Sequence, residues 1–175
     1  MHRVEDRESV MIVNPILKWL KRLVMAVMTL FRLAPNLVTN GDCELDSNWY
    51  GLPVDASPPT PAISTEQVHS GTYSMKIIST GMSGMWCENF IVSLGKTYRF
   101  QGWFYTASTA GSIWVYAYNG NRSGYTLNYP TVTSNTWCNF SIEKTMDVGG
   151  SSCKVAIYLA DSGALYIDDI SVTEV

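Results

Sequence analysis

The sequence contains few of the residues from which catalytic and metal sites are built. It has only two histidines, His2 and His69, and none of its four cysteines lies in a C-x-x-C motif or beside a histidine at metal-ligand spacing. This pattern argues against a zinc site. Basic residues are also too few for a general nucleic-acid binder, because 12 Lys and Arg are opposed by 15 Asp and Glu.

The scarcity of histidine also argues against an enzyme. A Ser-His-Asp arrangement would depend on His69, because His2 lies near the amino terminus. Glu88 and Glu143 are carboxylates that could flank a glycosidic bond, but the sequence does not fix their separation. We therefore expect a protein without enzymatic activity.

The four cysteines, Cys43, Cys87, Cys138 and Cys153, are enough for two disulfides. A body of about 140 residues buries sufficient surface to be stable without them. We therefore expect most of the cysteines to be free thiols that pack as small apolar side chains.

Charge divides the chain into two parts. Residues 1–35 contain six basic and three acidic side chains, a net charge of +3, whereas residues 36–175 contain six basic and twelve acidic ones, a net charge of −6. This asymmetry predicts an amino-terminal attachment arm, residues 1–35, followed by a separate domain, residues 36–175.

The attachment arm is predicted to contain one amphipathic α-helix. Asn14-Pro15 is a helix start signal and Ala34-Pro35 a stop signal, and the polar residues between them recur every three or four positions. We expect the broad apolar face to dock into another protein or into copies of the same chain. Its expected docking residues are Trp19, Leu20, Leu23, Val27, Leu30 and Phe31.

Three other interpretations of the arm remain open. A secretory signal peptide would use the basic residues before the apolar run 23–31, although Arg32 and Pro35 disturb its cleavage region. An interfacial membrane helix would use the cationic stripe. A membrane span needs roughly 20 nearly uncharged residues, whereas the uninterrupted run has nine. The start of the chain, Met1 or Met11, is also open.

From residue 36 onward, short stretches rich in β-branched and aromatic residues alternate with Gly, Ser, Asn and Pro clusters. This pattern predicts an all-β antiparallel sandwich. A long loop is expected at 46–61. The expected strands are 37–39, 62–68, 72–79, 85–92, 97–106, 112–118, 123–128, 136–145, 153–160 and 164–174.

Three of these strands have two chemically different faces. One face is aliphatic or phenyl and should be core, and the other combines indole and phenol rings with hydrogen-bonding groups. A pyranose can lie with its C–H face on such a ring while planar polar groups bind its hydroxyls. The candidate carbohydrate-binding residues are Trp103, Trp114, Tyr116, Tyr118, Trp137, Arg99, Gln101, Asn139 and Glu143. The same alternation would also arise if these rings were covered by a loop, by a neighbouring copy of the chain or by a partner protein.

Four segments resemble carbohydrate-binding modules of families 4, 9 and 22. They are residues 36–44 (NLVTNGDCE), 69–76 (HSGTYSMK), 94–100 (LGKTYRF) with Trp103 behind it, and 165–172 (LYIDDISV). The resemblance covers residues 36–175. Cys43 departs from it, since the family usually has Phe there. The resemblance implies a galactose-binding-like jelly roll that holds a glycan on its concave sheet.

The resemblance also implies a structural calcium ion where the first and last strands meet. Calcium prefers hard oxygen ligands, and we expect Glu44 and Asp169 to supply carboxylates with backbone carbonyls near Gly41 and Gly71. Alternatively, these carboxylates form an exposed acidic edge that discourages aggregation between strands.

Together these features suggest a surface subunit of a multi-copy assembly, such as a phage virion decoration, head-fibre or tail protein. Residues 1–35 would dock into the scaffold, and the jelly roll would present a glycan-binding face on the virion surface. The alternative is a secreted or membrane-anchored polysaccharide-binding module at the cell surface, with residues 1–35 as signal or anchor. A purely structural role without a sugar ligand is the third hypothesis.

Overall fold

In a computed structural model the chain divides into two units, residues 1–33 and 34–175. The structure describes residues 19–20, 34–53, 58–108, 113–119, 121–147 and 152–175. Trp19 and Leu20 are helical and are 62% and 49% exposed. The other predicted docking residues, Leu23, Val27, Leu30 and Phe31, lie outside the described residues. Within the described residues, no helix is both long enough and apolar enough to cross a membrane.

The second unit is a β-sandwich, as predicted. Its described strands are β1 (Trp49–Pro53), β2 (Ala62–Ser64), β3 (Ser74–Ser79), β4 (Ser83–Cys87), β5 (Phe90–Ile91), β6 (Thr97–Thr106), β7 (Ile113–Asn119), β8 (Asn121–Asn128), β9 (Cys138–Thr145), β10 (Ser152–Leu159) and β11 (Gly163–Glu174).

The strands form two antiparallel sheets. Sheet 1 has the order β1-β4-β10-β7-β8, with β5 also pairing with β10, and sheet 2 has the order β2-β3-β11-β6-β9. The neighbours are mostly distant in sequence, because β10 lies between β4 and β7, and β11 lies between β3 and β6. The architecture is therefore fixed by long-range pairing.

The predicted alternation of faces is confirmed. On β6, Phe100 and Phe104 are no more than 1% exposed, whereas Arg99 and Gln101 are exposed. On β7, Ile113 and the alternate residues after it are buried. The apolar sides of both sheets form one core, whose burial is the main favourable contribution to folding.

Three local predictions were wrong. Residues 37–39 are irregular, the predicted strand 85–92 is divided into β4 and β5, and the predicted loop 46–61 contains strand β1. β1 is unusual because a Cβ at Gly51 would lie 1.7 Å from the Pro59 carbonyl oxygen. Pro59 therefore lies against the strand, and Pro53, another of the prolines that suggested a loop, is the last residue of β1.

Residues 36–45 fold into a hydrogen-bonded turn against β11. The Asn36 side chain accepts hydrogen bonds from the amides of Val38 and Val172 and donates to the Ile170 carbonyl. Asn40, which has a φ of 53°, uses its side chain to bind the backbone of Leu45. These bonds satisfy backbone groups of a segment that belongs to neither sheet.

All four cysteines are free; Cys43, Cys87 and Cys153 are buried and Cys138 is half-buried. This agrees with the prediction of apolar packing. Burial raises the pKa of the Cys87 thiol to about 12. The Cys87 thiol is therefore protonated and a poor nucleophile near neutral pH.

Candidate functional site

The nine predicted carbohydrate-binding residues do not form one surface. Trp114, Tyr116 and Tyr118 belong to β7 of sheet 1. The other six lie on β6, on β9 or immediately before β9, in sheet 2. Outward side chains of two packed sheets point in opposite directions, so one ligand cannot contact both groups.

On sheet 2 the indole rings are covered by the chain itself. The His69 ring stacks on Trp103 with centroids 4.0 Å apart and packs edge-on against Trp137 at 5.5 Å. His69 Nδ1 is held 2.6 Å from Asp169 Oδ2, which fixes the ring in place. Trp103 thus has one face closed by a loop, which was one of the alternatives left open by the sequence.

Two of the polar residues predicted on sheet 2, Arg99 and Glu143, pair with each other. Arg99 Nη2 lies 2.7 Å from Glu143 Oε1 on the neighbouring strand, and both side chains are exposed. Such a surface ion pair contributes at most about 1 kcal/mol to stability. Gln101 and Asn139 are exposed on the same face.

On the outer face of sheet 1, aromatic side chains occupy successive rows. Tyr50, Trp86, Ala156 and Tyr116 lie side by side on four adjacent strands. Since adjacent strands are about 4.8 Å apart, Trp86 and Tyr116 are separated by about 10 Å, with the small, fully buried Ala156 between them. We call this surface the aromatic face. Its members on β1, β4, β10 and β7 are Tyr50, Trp86, Lys154, Ala156, Tyr158, Trp114, Tyr116 and Tyr118.

The rings of the aromatic face contact each other in two groups. Tyr116 stacks with Tyr118 at 5.5 Å and meets Tyr158 edge-on at 5.2 Å. Tyr50 meets Trp86 edge-on at 6.1 Å. The contacts hold the rings as a semi-rigid surface, which lowers the entropic cost of binding a flat ligand.

A cavity of about 200 Å³ opens beside the second ring group. It is lined by Tyr50, Trp86, Cys87, Glu88 and Asn89. Glu88 and Asn89 follow directly after β4 and supply the acceptor and amide groups that recognise hydroxyls. Apolar rings beside a few polar groups are typical of small-ligand sites.

The sequence analysis missed Tyr50, Trp86, Tyr158 and Lys154. Trp86 lies between buried Met85 and Cys87, and Tyr158 lies between buried residues of β10. Both therefore follow the same alternation that identified Tyr116. No comparable signal marked Tyr50, because β1 lies in the predicted loop.

The structure does not bring the two carboxylates considered for glycosidic hydrolysis together. Glu88 follows a strand of sheet 1, whereas Glu143 lies on β9 of sheet 2. A pair on two different sheets does not form the facing carboxylates that this chemistry requires.

The residues predicted to bind calcium are hydrogen-bonded to protein donors. Glu44 Oε1 accepts from the amides of Thr72 and Tyr73, and both oxygens of Asp169 contact His69 or Ser70. The Gly41 carbonyl accepts from the Ile170 amide. In the described part of the chain no three His, Cys, Asp or Glu side chains converge as metal ligands. The calcium site at Glu44 and Asp169 stays a prediction.

Gly71 is required for the contact made by Glu44. It has a φ of +68°, and a Cβ there would lie 2.1 Å from Glu44 Oε1. We expect Gly71→Ala to lower the free energy of unfolding by about 2 kcal/mol or more, since backbone strain costs roughly 1–2 kcal/mol and two hydrogen bonds to Glu44 are disturbed. Urea unfolding measures the change.

Gly95→Ala is the matched control, because Gly95 has a φ of +76° and nothing within 4 Å of the added Cβ. Its free energy of unfolding should fall only by the cost of backbone strain, about 1 kcal/mol. Equal losses in the two variants would contradict a structural role for the Glu44 contact.

Comparison with solved structures identifies the fold. A family 16 carbohydrate-binding module is 21% identical over 79% of this chain and 100% of its own, with a TM-score of 0.57. The CBM22-1 xylan-binding domain of Paenibacillus barcinonensis Xyn10C is 12% identical over 81% and 96% of the two chains, with a TM-score of 0.61. The fold is therefore that of jelly-roll carbohydrate-binding modules, as the sequence resemblance implied.

The same fold occurs in a much larger viral protein. The enzymatically active domain of tailspike protein 4 from bacteriophage CBA120 is 13% identical over 80% of this chain but only 21% of its own, with a TM-score of 0.63. No protein-family model and no curated protein sequence matches the chain.

Proposed function

We propose that the protein is a non-enzymatic carbohydrate-binding protein that holds its glycan on the aromatic face of sheet 1. The observation that carries this proposal is the pair of rings Tyr50 and Trp86, which meet edge-on beside a polar cavity. A sugar ring can lie against these rings while Glu88 and Asn89 bind its hydroxyls. Each sheet has one partly covered indole, Trp103 under His69 and Trp86 under Lys154. Sheet 1 is favoured because the exposed ring of Tyr50 and the cavity lie beside Trp86.

The fold supports the proposal, because a module with the same fold is a xylan-binding domain. The expected affinity is modest. If each ring loses about 80 Å² of exposed area on binding, it contributes roughly 2 kcal/mol before association costs, so two or three rings give millimolar to micromolar binding.

A glycan array probed with the full chain tests this function. We expect a restricted set of polysaccharides or oligosaccharides to bind, and free oligosaccharide to compete for the same sites. Absence of binding to every glycan at protein concentrations up to about 1 mM would contradict the proposal, since that range covers the expected affinities.

We further propose that residues 1–35 attach this module to a larger assembly, specifically a phage virion, in several copies. The charge asymmetry of +3 against −6 and the exposed helical pair Trp19 and Leu20 support an attached arm. The occurrence of the fold in a bacteriophage tailspike supports the viral setting. The glycan-binding face would then be displayed on the virion surface.

The mass of the natural protein distinguishes attachment from export. An intact amino terminus in purified virions is expected if residues 1–35 are the attachment arm. Cleavage near residue 34, with the protein recovered from culture medium or cell surface, would contradict attachment and support the secreted alternative.

A further inference from the structure

Glu88 brings a carboxylate to the cavity beside Tyr50 and Trp86. Among the described residues that line this cavity, Glu88 alone has a charged side chain. It is exposed, and it belongs to none of the ion pairs found in the described part of the chain. A ligand that enters the cavity therefore meets an available carboxylate next to an aromatic ring.

The backbone holds Glu88 at the rim of the cavity. Trp49 pairs with Cys87, and the Glu88 amide donates a hydrogen bond of 2.8 Å to the Asn48 carbonyl. The pairing of β1 with β4 is thus continued by one residue beyond both strands. Because side chains alternate along an extended chain, Glu88 lies on the same side as Trp86, two positions before it. A fixed backbone therefore presents the carboxylate beside the rings.

Lys154 occupies one face of Trp86 and leaves Glu88 exposed. Its ammonium lies 2.9 Å from the centroid of the Trp86 ring, in a cation–π contact. A ligand in the cavity therefore uses Tyr50, whose side chain is 48% exposed, rather than the face of Trp86 that the lysine covers. The lysine also opposes a second cation over Trp86, so a cationic group of a ligand is directed toward Glu88.

We propose that the cavity selects amino sugars, whose protonated amine pairs with Glu88 while the pyranose ring packs on Tyr50. This inference rests on the proposed function. An ammonium offers three donors, and its charge-assisted hydrogen bonds to a carboxylate are roughly twice as strong as those of a neutral hydroxyl. The exposed phenol ring of Tyr50 supplies an apolar surface for the C–H face of the sugar and a cation–π partner for the amine.

The charge of the domain favours the same ligands. Residues 36–175 carry a net charge of −6, which attracts a cationic glycan and repels an acidic one at long range. This general attraction does not depend on which exposed carboxylate is removed, whereas pairing in the cavity requires Glu88. Substitution of single carboxylates therefore separates the two contributions.

Calorimetric titration of the full chain with a β-1,4-linked glucosamine hexamer tests the proposal, at a pH at which the sugar amines are protonated. Cellohexaose, which has a hydroxyl in place of each amine, is the neutral reference. We expect the glucosamine hexamer to bind about fivefold to tenfold more tightly. Glu88→Gln should weaken glucosamine binding about fivefold more than cellohexaose binding, as expected for a partly exposed ion pair. Asp161→Asn, which removes an exposed carboxylate beyond the end of β10, is the matched control and should change either affinity by less than about twofold.

Several results would overturn the selectivity for amino sugars while leaving the proposed function intact. One is binding of cellohexaose that is as tight as that of the glucosamine hexamer, or tighter. Another is an equal loss of glucosamine binding in Glu88→Gln and Asp161→Asn, which would assign the preference to general attraction. A third is failure to bind either hexamer by a chain that binds another glycan on the array. Failure to bind every glycan on the array would overturn both proposals, and urea unfolding of each variant confirms that it is folded.

Discussion

Replacing Tyr116 and Tyr158 together by alanine is expected to lower glycan affinity by about a hundredfold or more. The two rings meet edge-on at 5.2 Å and lie on adjacent strands of the aromatic face. Each ring is expected to contribute roughly 2 kcal/mol through burial of apolar area, and about 1.4 kcal/mol corresponds to a tenfold change. Titration calorimetry with a glycan selected on the array measures the loss.

Trp137→Ala is the matched control for this prediction. Trp137 is a half-buried ring of similar size, but it lies next to Tyr105 on the opposite face of the sandwich. Its replacement should leave affinity within about twofold of the original, since a ring that touches no ligand contributes nothing to binding. Loss of binding in Trp137→Ala with retention in the double variant would place the site on sheet 2.

Asp168→Ala is expected to produce the largest loss of stability, about 3 kcal/mol or more. Asp168 has no exposed surface, and its carboxylate accepts hydrogen bonds from the amides of His69, Ser70 and Asp169 at 3.0, 3.1 and 2.8 Å. Alanine would leave three partly buried N–H groups without an acceptor, and each such group costs about 1–3 kcal/mol. The midpoint of urea unfolding measures the effect.

Two substitutions calibrate the Asp168 prediction. Asp168→Asn retains one acceptor oxygen and should lose less stability than Asp168→Ala. Asp161→Ala removes an exposed carboxylate and should change the free energy of unfolding by no more than about 0.5 kcal/mol. Similar small changes at both positions would show that the Asp168 hydrogen bonds do not hold residues 69–70 against β11.

The contribution of Asp168 to the free energy of unfolding should also depend on pH. Burial raises the pKa of its carboxyl, and the three backbone hydrogen bonds only partly oppose that rise. A raised folded-state pKa means that the stabilisation is complete below the ordinary aspartate pKa and declines as the pH rises through the folded-state value. The difference between the original chain and Asp168→Ala should therefore be larger at pH 4 than at pH 7.

The sequence predicted strands accurately where alternation was long and regular. β6 occupies the predicted range 97–106, because its ten residues alternate between buried and outward side chains without interruption. β1 escaped prediction because Gly51 and Pro53 are unfavourable in strands, and its residues pair with residues of β4 that are 30 to 38 positions away in the sequence. The strand propensities of residues 49–53 do not show that they pair with β4.

The candidate site was predictable only in part for the same reason. Alternation shows that Trp103 and Trp114 both point outward, but their assignment to different sheets depends on β10 pairing with β7 and β11 pairing with β6. The stacking of His69 on Trp103 likewise depends on a loop that is distant in sequence. Residue type and spacing identified candidate rings, and long-range topology decided which of them lie together.

The indole N–H resonances of the six tryptophans provide the most direct measurement of where a glycan binds. In a titration of the isotopically labelled full chain with a glycan selected on the array, we expect the Trp86 and Trp114 signals to shift with saturation while those of Trp103 and Trp137 stay in place. Shifts confined to Trp103 and Trp137 would contradict binding at the aromatic face.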